Sequence, residues 1–116
     1  MEIEREIVLP VPREEAWEAL TEAERLEEWF ANDVELDPTP GGRGVFEWDS
    51  GEVRHAVVEA VEVEERLVLR WDDDGVVELV LTEHSDGTRV HVRETAPDWG
   101  VALELHACAA WATATA

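Results

Sequence analysis

Between residues 32 and 95 the sequence alternates apolar and polar residues in short runs, and this alternation most constrains the fold. A period of two places successive side chains on opposite faces of a β-strand. Turn signals separate the runs, for example D-S-G at residues 49–51 and S-D-G at residues 85–87. One apolar face and one charged face are typical of antiparallel sheets. The pattern therefore predicts an antiparallel sheet, to which residues 2–9 add a first strand.

The longest of these runs covers residues 52–63. Glu59 interrupts its apolar side, which indicates a bulge or bend at that position. That side is predicted to face the core, and it carries Val53, His55, Val57, Val61 and Val63. Arg54 is predicted to lie on the opposite, solvated face. Arginines there would pair with glutamates of neighbouring strands.

Two short helices are predicted between the first strand and the rest of the sheet. Pro12 suits a first helical turn. The T-E-A-E at residues 21–24 matches a capping box, so Thr21 is expected to begin a second helix. Leu26, Trp29 and Phe30 then form one apolar stripe at helical spacing.

The last segment, from residue 99 onward, is helical in composition and carries one charged residue, Glu104. Asp98 is a suitable N-cap for it. A helix that is apolar nearly all round is buried on most sides. Trp111 near its end would leave an apolar patch exposed, and such patches mark interfaces. We therefore expect a homodimer formed through this C-terminal helix.

The chain has 29 acidic and nine basic residues, a formal net charge of −20 over 116 residues. Such a field repels phosphate backbones and disfavours nucleic acid as a partner. One cysteine allows no intrachain disulfide, and no stretch approaches the roughly 20 apolar residues that span a bilayer. The length suits one domain over residues 1–116. We expect a cytoplasmic protein.

Six segments carry a resemblance to a known superfamily. They are I-V-L-P-V-P-R-E-E-A-W-E-A-L-T at 7–21, W-F at 29–30, G-G-x-x-x-F at 41–46, G-E-V at 51–53, E-E-R-L-V-L-R-W at 64–71 and D-G-T-R-V at 86–90. With them the chain resembles the START-like (SRPBCC) superfamily, in the branch of heat-shock protein 90 ATPase activator homologues and polyketide-cyclase-like proteins. The resemblance implies an α+β helix-grip fold, like the birch-pollen allergen. In it, a seven-stranded curved antiparallel sheet and two short helices close around a C-terminal helix.

The same resemblance implies a cavity between the sheet and the C-terminal helix. Large rings with a few polar groups are the usual design of a ligand pocket, although Trp also fills ordinary cores. The expected pocket residues are Trp29, Phe30, Trp48, His55, Leu69, Trp71, Leu79, Trp99, Leu103 and His106. The space they enclose is a pocket, a packed core, or a groove completed by a second subunit.

Three functions follow as hypotheses. The first is a non-enzymatic binder of a hydrophobic small molecule. The second is a protein-interaction module that regulates a chaperone, as the resemblance implies. The third is a cyclase-like or hydrolase-like enzyme that uses His55 or His106 as an acid or base. No phosphate-binding, dinucleotide-binding or nucleophile-elbow motif occurs, and the four histidines are scattered. The sequence therefore indicates no cofactor, no metal site and no assignable catalytic residue.

Overall fold

The computed structural model describes residues 3–72 and 75–95, which form a seven-stranded antiparallel sheet and two short helices. The elements are β1 (Ile3–Leu9), α1 (Arg13–Thr21), α2 (Ala23–Trp29), β2 (Asp33–Leu36), β3 (Arg43–Glu47), β4 (Val53–Glu62), β5 (Arg66–Trp71), β6 (Val76–His84) and β7 (Gly87–Glu94). The strand order is β1-β7-β6-β5-β4-β3-β2. The predicted sheet and helices are confirmed. The predicted C-terminal helix lies outside the described residues.

One face of the sheet, the inner face, carries the hydrophobic core, and the other, the outer face, is largely solvated. The buried inward side chains of the central strands are Leu67, Leu69, Val77, Leu79, Leu81, Val90 and Val92. Leu20 of α1 and Leu26 of α2 belong to the same cluster and are fully buried. Complete burial of one such side chain contributes about 1.5–3 kcal/mol. The helices therefore cover part of the inner face.

In the first half of β4, the side that was predicted to face the core faces solvent, and the other side faces the core. Ala56 and Val58 are buried, whereas Val53 and Val57 are 43% and 44% exposed. His55 is also exposed and lies on the outer face. The prediction that His55 faces the interior is therefore wrong. In this half of the strand, the larger valines are exposed to solvent and the small Ala56 is buried.

The bulge predicted at Glu59 is confirmed and explains the error. The pairing of β4 with β5 shifts register between Val58 and Ala60. A bulge adds one residue to one strand, and a shift of one residue exchanges the two faces. Beyond the bulge, Val61 does pack against the core, although Val63 is 70% exposed. Before the bulge, the exchanged face brings Arg54 inward.

The capping box predicted at Thr21 is also wrong. Thr21 ends α1, and its hydroxyl donates to the Trp17 carbonyl oxygen at 2.8 Å. The side chain is thereby satisfied by its own helix. Glu22 is both the C-cap of α1 and the N-cap of α2, with no side-chain cap hydrogen bond. In the described ranges, no helix has the length and apolar character needed to cross a membrane.

Cross-strand ion pairs form on the outer face, as predicted. Arg93 of β7 lies 3.1 Å from Glu4 of β1 and 3.9 Å from Glu78 of β6. Arg66 of β5 donates to Glu78 at 2.7 Å. This hydrogen bond is the main reason that the pKa of Arg66 is raised above its ordinary value. One carboxylate thus joins three strands.

Candidate functional site

Four aromatic rings meet on the inner face, where the end of α2 approaches β3 and β5. This aromatic cluster consists of Phe30, Phe46, Trp48 and Trp71. The Phe30 ring centroid lies 5.5 Å from that of Phe46 and 5.3 Å from that of Trp48, both edge to face. Phe46 meets Trp71 edge to face at 5.3 Å. Each such contact adds about 0.5–1.5 kcal/mol beyond area burial. The cluster is therefore a well-defined apolar wall.

A hydrogen bond holds Trp48 in this wall. Its indole Nε1 donates to the carbonyl oxygen of Phe30 at 2.7 Å. Phe30 is the C-cap of α2, and the last carbonyls of a helix lack partners within the helix. The bond therefore satisfies a terminal carbonyl and fixes the end of α2 against the hairpin that joins β3 to β4.

Arg54 stacks on the cluster from β4. Its guanidinium carbon lies 4.3 Å from the centroid of the Trp71 ring. Trp71 is only 3% exposed, and Arg54 is half-buried. A guanidinium over an indole face is a favourable cation–π contact. The apolar wall therefore carries one permanent positive charge at its surface.

A second polar position lies toward the β1 edge of the inner face. Glu94 belongs to a row of residues that are paired across five neighbouring strands. In order, the row is Ile3, Glu94, Val77, Leu69 and Val58. Glu94 is 1% exposed, so its carboxylate is buried. Arg5 pairs with Val92 and is the diagonal neighbour of Glu94 on the same face.

Charge is otherwise scarce on this face. Among the described inward-facing strand residues that are buried or half-buried, the charged ones are Arg5, Arg54 and Glu94. The whole chain, by contrast, has 29 acidic and nine basic residues. The inner face is thus an aliphatic floor with an aromatic wall and three charged positions.

The structure brings five of the expected pocket residues to this face. Phe30, Trp48 and Trp71 lie together in the aromatic cluster. Leu69 and Leu79 lie on neighbouring strands of the floor, and both are fully buried. Trp29 ends α2, but its side chain is not among those described. Trp99, Leu103 and His106 lie outside the described residues.

His55 instead borders an open groove on the outer face. The groove has a volume of about 480 Å³, and Arg43, Val45, Val57 and Arg70 line it together with His55. Trp71 of the aromatic cluster also borders this groove, but the His55 side chain is exposed and lies on the outer face, so His55 is not an interior acid or base. Within residues 3–72 and 75–95, no three histidine, cysteine or carboxylate side chains are grouped to hold a metal ion.

Three residues of the inner face were not expected there. Phe46 belongs to the G-G-x-x-x-F segment, and that motif was the available signal for it. An uninterrupted period of two along β4 predicts Arg54 on the outer face, but the bulge between Val58 and Ala60 exchanges the two faces before it. Glu94 continues the inward alternation of Val90 and Val92, so extending the period of two would have placed it correctly.

The sequence matches the model of a protein family over residues 10–113, which is most of the chain. The family is described as Activator of Hsp90 ATPase homolog 1-like protein. The chain belongs to this AHSA1 family. The resemblance to the START-like branch of Hsp90 ATPase activator homologues is thereby confirmed. None of the curated proteins compared with this AHSA1-family chain matches it significantly.

Solved structures share the fold. Protein MLL2253 from Mesorhizobium loti is 26% identical with a TM-score of 0.75, and the alignment covers 96% of this chain and 88% of that protein. An AHSA1-like protein from Aeromonas hydrophila is 20% identical with a TM-score of 0.72, covering 96% and 84%. DynU16, from the dynemicin biosynthetic locus, is 24% identical with a TM-score of 0.74, covering 95% of this chain and 42% of that one.

Proposed function

We propose that this AHSA1-family domain binds an apolar small molecule on its inner face, against the aromatic cluster. The observation that carries the proposal is the wall of four rings with the Arg54 guanidinium stacked on it. Small-molecule sites are typically apolar and aromatic surfaces with a few placed polar groups. In this proposal the C-terminal helix lies over the inner face and closes the site.

An ordinary core would also bury aromatic rings, but charged side chains are uncommon in one. Moving a charged group into an apolar interior costs several kcal/mol unless partners compensate it. Glu94 is almost fully buried, and Arg54 is half-buried against Trp71. Both side chains interact within the protein, Arg54 with the Trp71 ring among others, and in the proposed site they would also orient the ligand.

The inner face supports binding better than catalysis. In the described ranges, its inward-facing strand residues include no histidine, cysteine, serine or lysine. Arginine remains protonated in proteins and is a poor general base. Since His55 lies on the outer face, the enzymatic hypothesis loses the one described residue on which it rested.

A neutral apolar dye, phenyl-naphthylamine, tests the proposal. We expect saturable dye fluorescence, quenching of tryptophan emission and a higher melting temperature, because a ligand that binds only the folded state stabilises it. Trp71→Phe should weaken dye binding, whereas His55→Ala on the outer face should leave it unchanged. If neither this dye nor a set of neutral hydrophobic compounds saturates or raises the melting temperature, the proposal is wrong.

The family match favours a second candidate, a regulator of an Hsp90-type chaperone. The outer face offers a surface for it, since Val57 is exposed in the groove that Arg43 and Arg70 line. The test is the ATPase rate of a purified Hsp90-type chaperone with and without this protein. Stimulation that Val57→Asp abolishes would support the regulator, and an unchanged rate would count against it.

We also propose a homodimer formed through the C-terminal helix. Its support is the composition of residues 99–116, which include one charged residue. Light scattering at high micromolar concentration should give twice the mass of one chain. A monomer under those conditions would refute the dimer.

A further inference from the structure

The groove on the outer face crosses three neighbouring strands. Runs of three consecutive residues line it, 43–45 in β3, 55–57 in β4 and 70–72 at the end of β5. The middle residues of these runs are register partners on the buried side of the sheet, so their backbone forms the floor. The volume of about 480 Å³ lies within the range of small-molecule sites. This outer groove is therefore a channel across the strands, between two rows of outward side chains.

The two rows give the outer groove an apolar centre and polar corners. The first row consists of direct cross-strand partners, Arg43, Val57 and Arg70. The second row is Val45, His55 and Asp72. The Asp72 N–H donates to the His55 carbonyl oxygen at 3.0 Å, which fixes Asp72 at the end of this row. Val57 is 44% exposed and offers an apolar contact in the middle of the channel.

Arg43 is a cation without a charged partner at one corner. It is exposed, and within residues 3–72 and 75–95 it forms no ion pair. The Asp37 N–H donates to the Arg43 carbonyl oxygen at 3.1 Å, but the Asp37 carboxylate accepts a hydrogen bond from the Thr39 hydroxyl at 2.9 Å. Three other outer-face arginines are paired with glutamates, namely Arg66, Arg70 and Arg93. The Arg43 guanidinium is therefore available to a carboxylate from outside the chain.

Asp72 is an anion at the diagonally opposite corner. It is exposed, and its carboxylate has no ion pair in the described part of the chain. Two strand spacings and two residues separate it from Arg43, which amounts to about 12 Å between the two backbone positions. Charges that far apart do not form a direct ion pair. Since Glu59 neutralises Arg70, the outer groove has one free charge of each sign, at opposite ends.

We propose that the outer groove binds a short zwitterionic peptide of about three residues. Its C-terminal carboxylate lies at Arg43, its N-terminal ammonium at Asp72 and an apolar side chain on Val57. Three extended residues span about 10 Å, and the long arginine side chain covers the remaining distance. Such a ligand has no net charge, so the charge of −20 on the chain does not repel it. The site is on the face opposite to the proposed apolar site and does not depend on it.

Three forms of one tripeptide, glycyl-leucyl-glycine, separate the two end charges. The free form carries both charges, the amidated form lacks the carboxylate, and the acetylated form lacks the ammonium. Binding is followed by the backbone amide NMR signals of residues 43–45 and 55–57, at about 0.15 M salt to screen the distant charges. We expect a dissociation constant of about 1 mM for the free form, because both ion pairs are exposed. Each blocked form should bind about two- to fivefold more weakly.

Two variants assign each end of the peptide to one residue. Arg43→Leu should bind the free and amidated forms equally, and it should still discriminate against the acetylated form. Asp72→Asn should show the reverse. Arg89→Leu and Glu6→Gln are the matched controls, because they make the same changes in net charge at outer-face positions on β7 and β1. Both preferences should survive in the controls.

Four results would overturn the proposal. The first is that no groove signal shifts at a peptide concentration of about 10 mM, and the second is that the three forms bind equally. The third is that Arg43→Leu abolishes discrimination against the acetylated form instead, which would mean the opposite orientation. The fourth is that Arg89→Leu acts like Arg43→Leu, so that the charge of the whole chain decides.

The comparison of the three peptide forms on the unmodified protein needs no variant, so a substitution that impairs folding does not remove the test. Failure of the apolar dye to bind the inner face would contradict the proposed function but not this site. Conversely, equal binding of the three peptide forms would leave the inner-face proposal standing.

Discussion

The indole nitrogen of Trp48 donates a hydrogen bond to the carbonyl oxygen of Phe30 at 2.7 Å, which joins the end of α2 to the hairpin between β3 and β4. These two residues are 18 apart in sequence. Their rings also meet edge to face at 5.3 Å. One residue pair therefore fixes both the wall of the proposed site and the position of the helix that supports it.

Trp48→Phe should destabilise the protein by about 1–2 kcal/mol, because it keeps an aromatic ring but leaves the Phe30 carbonyl without its donor. Trp17→Phe is the control. Trp17 is also half-buried against the core, and in the described part of the chain its indole donates no hydrogen bond. Urea unfolding should show a smaller loss of unfolding free energy for Trp17→Phe than for Trp48→Phe. Equal losses would mean that ring size, not the hydrogen bond, decides the effect.

Gly87→Ala should destabilise the protein by at least about 2 kcal/mol. Gly87 begins β7 with φ of 141°, and an added Cβ would overlap the carbonyl oxygen of Leu9 in β1. Gly51 also has a positive φ, 93°, but nothing lies within 4 Å of its added Cβ. Gly51→Ala should therefore cost only about 1 kcal/mol. Thermal unfolding of both variants checks the difference, and equal losses would contradict the close approach of Gly87 to β1.

Glu78→Gln should destabilise the protein by about 0.5–1 kcal/mol at low salt, although it reduces the net negative charge. Glu78 contacts both Arg66 and Arg93, and its side chain is 21% exposed. Glu35 is exposed and has no ion pair among the described residues. Glu35→Gln should be neutral or stabilising, since it relieves self-repulsion. Added salt should reduce the destabilisation by Glu78→Gln. If both variants changed the stability in the same direction, the proposed ion pairs of Glu78 with Arg66 and Arg93 would not be stabilising.

The contribution of Arg66 to the free energy of unfolding should persist through the moderately alkaline pH range. Hydrogen bonding to Glu78 raises the pKa of Arg66 above its ordinary value. A group whose pKa is raised by folding stabilises the folded state below its unfolded pKa and loses that effect as pH rises through the folded pKa. That window lies above the ordinary arginine pKa. The difference in unfolding free energy between the unmodified protein and Arg66→Met should therefore be constant from neutral pH to pH of about 10. A steep decline there would contradict the assignment.

The sheet could be predicted from sequence because the side-chain period of two is local. The alternation of Leu67, Leu69 and Trp71 needs no knowledge of other strands, and these residues are buried as the pattern requires. The face of β4 could not be predicted this way. Which side chains of β4 face the core depends on the bulge between Val58 and Ala60. That bulge is a feature of the pairing of β4 with β5.

The aromatic cluster was predicted in part for the same reason. Trp71 follows from strand period and Phe30 from helix period, so both were expected inside. Arg54 was not, because its place over Trp71 follows from the reversed face of β4 and from a ring contributed by another strand. Thr21 likewise matches a capping box in sequence. In the structure, however, its hydroxyl donates a hydrogen bond to the carbonyl oxygen of Trp17, four residues earlier.

The central claim is that ligands bind the inner face at the aromatic cluster, and nitrogen-edited NMR of the tryptophan indole N–H groups tests it most directly. Trp48→Phe and Trp71→Phe assign the two resonances, and anilinonaphthalene sulfonate is the titrant. The account predicts that both resonances shift and saturate together, while the ring signals of His55 stay in place. Saturating shifts at His55 with both indoles unmoved would contradict it.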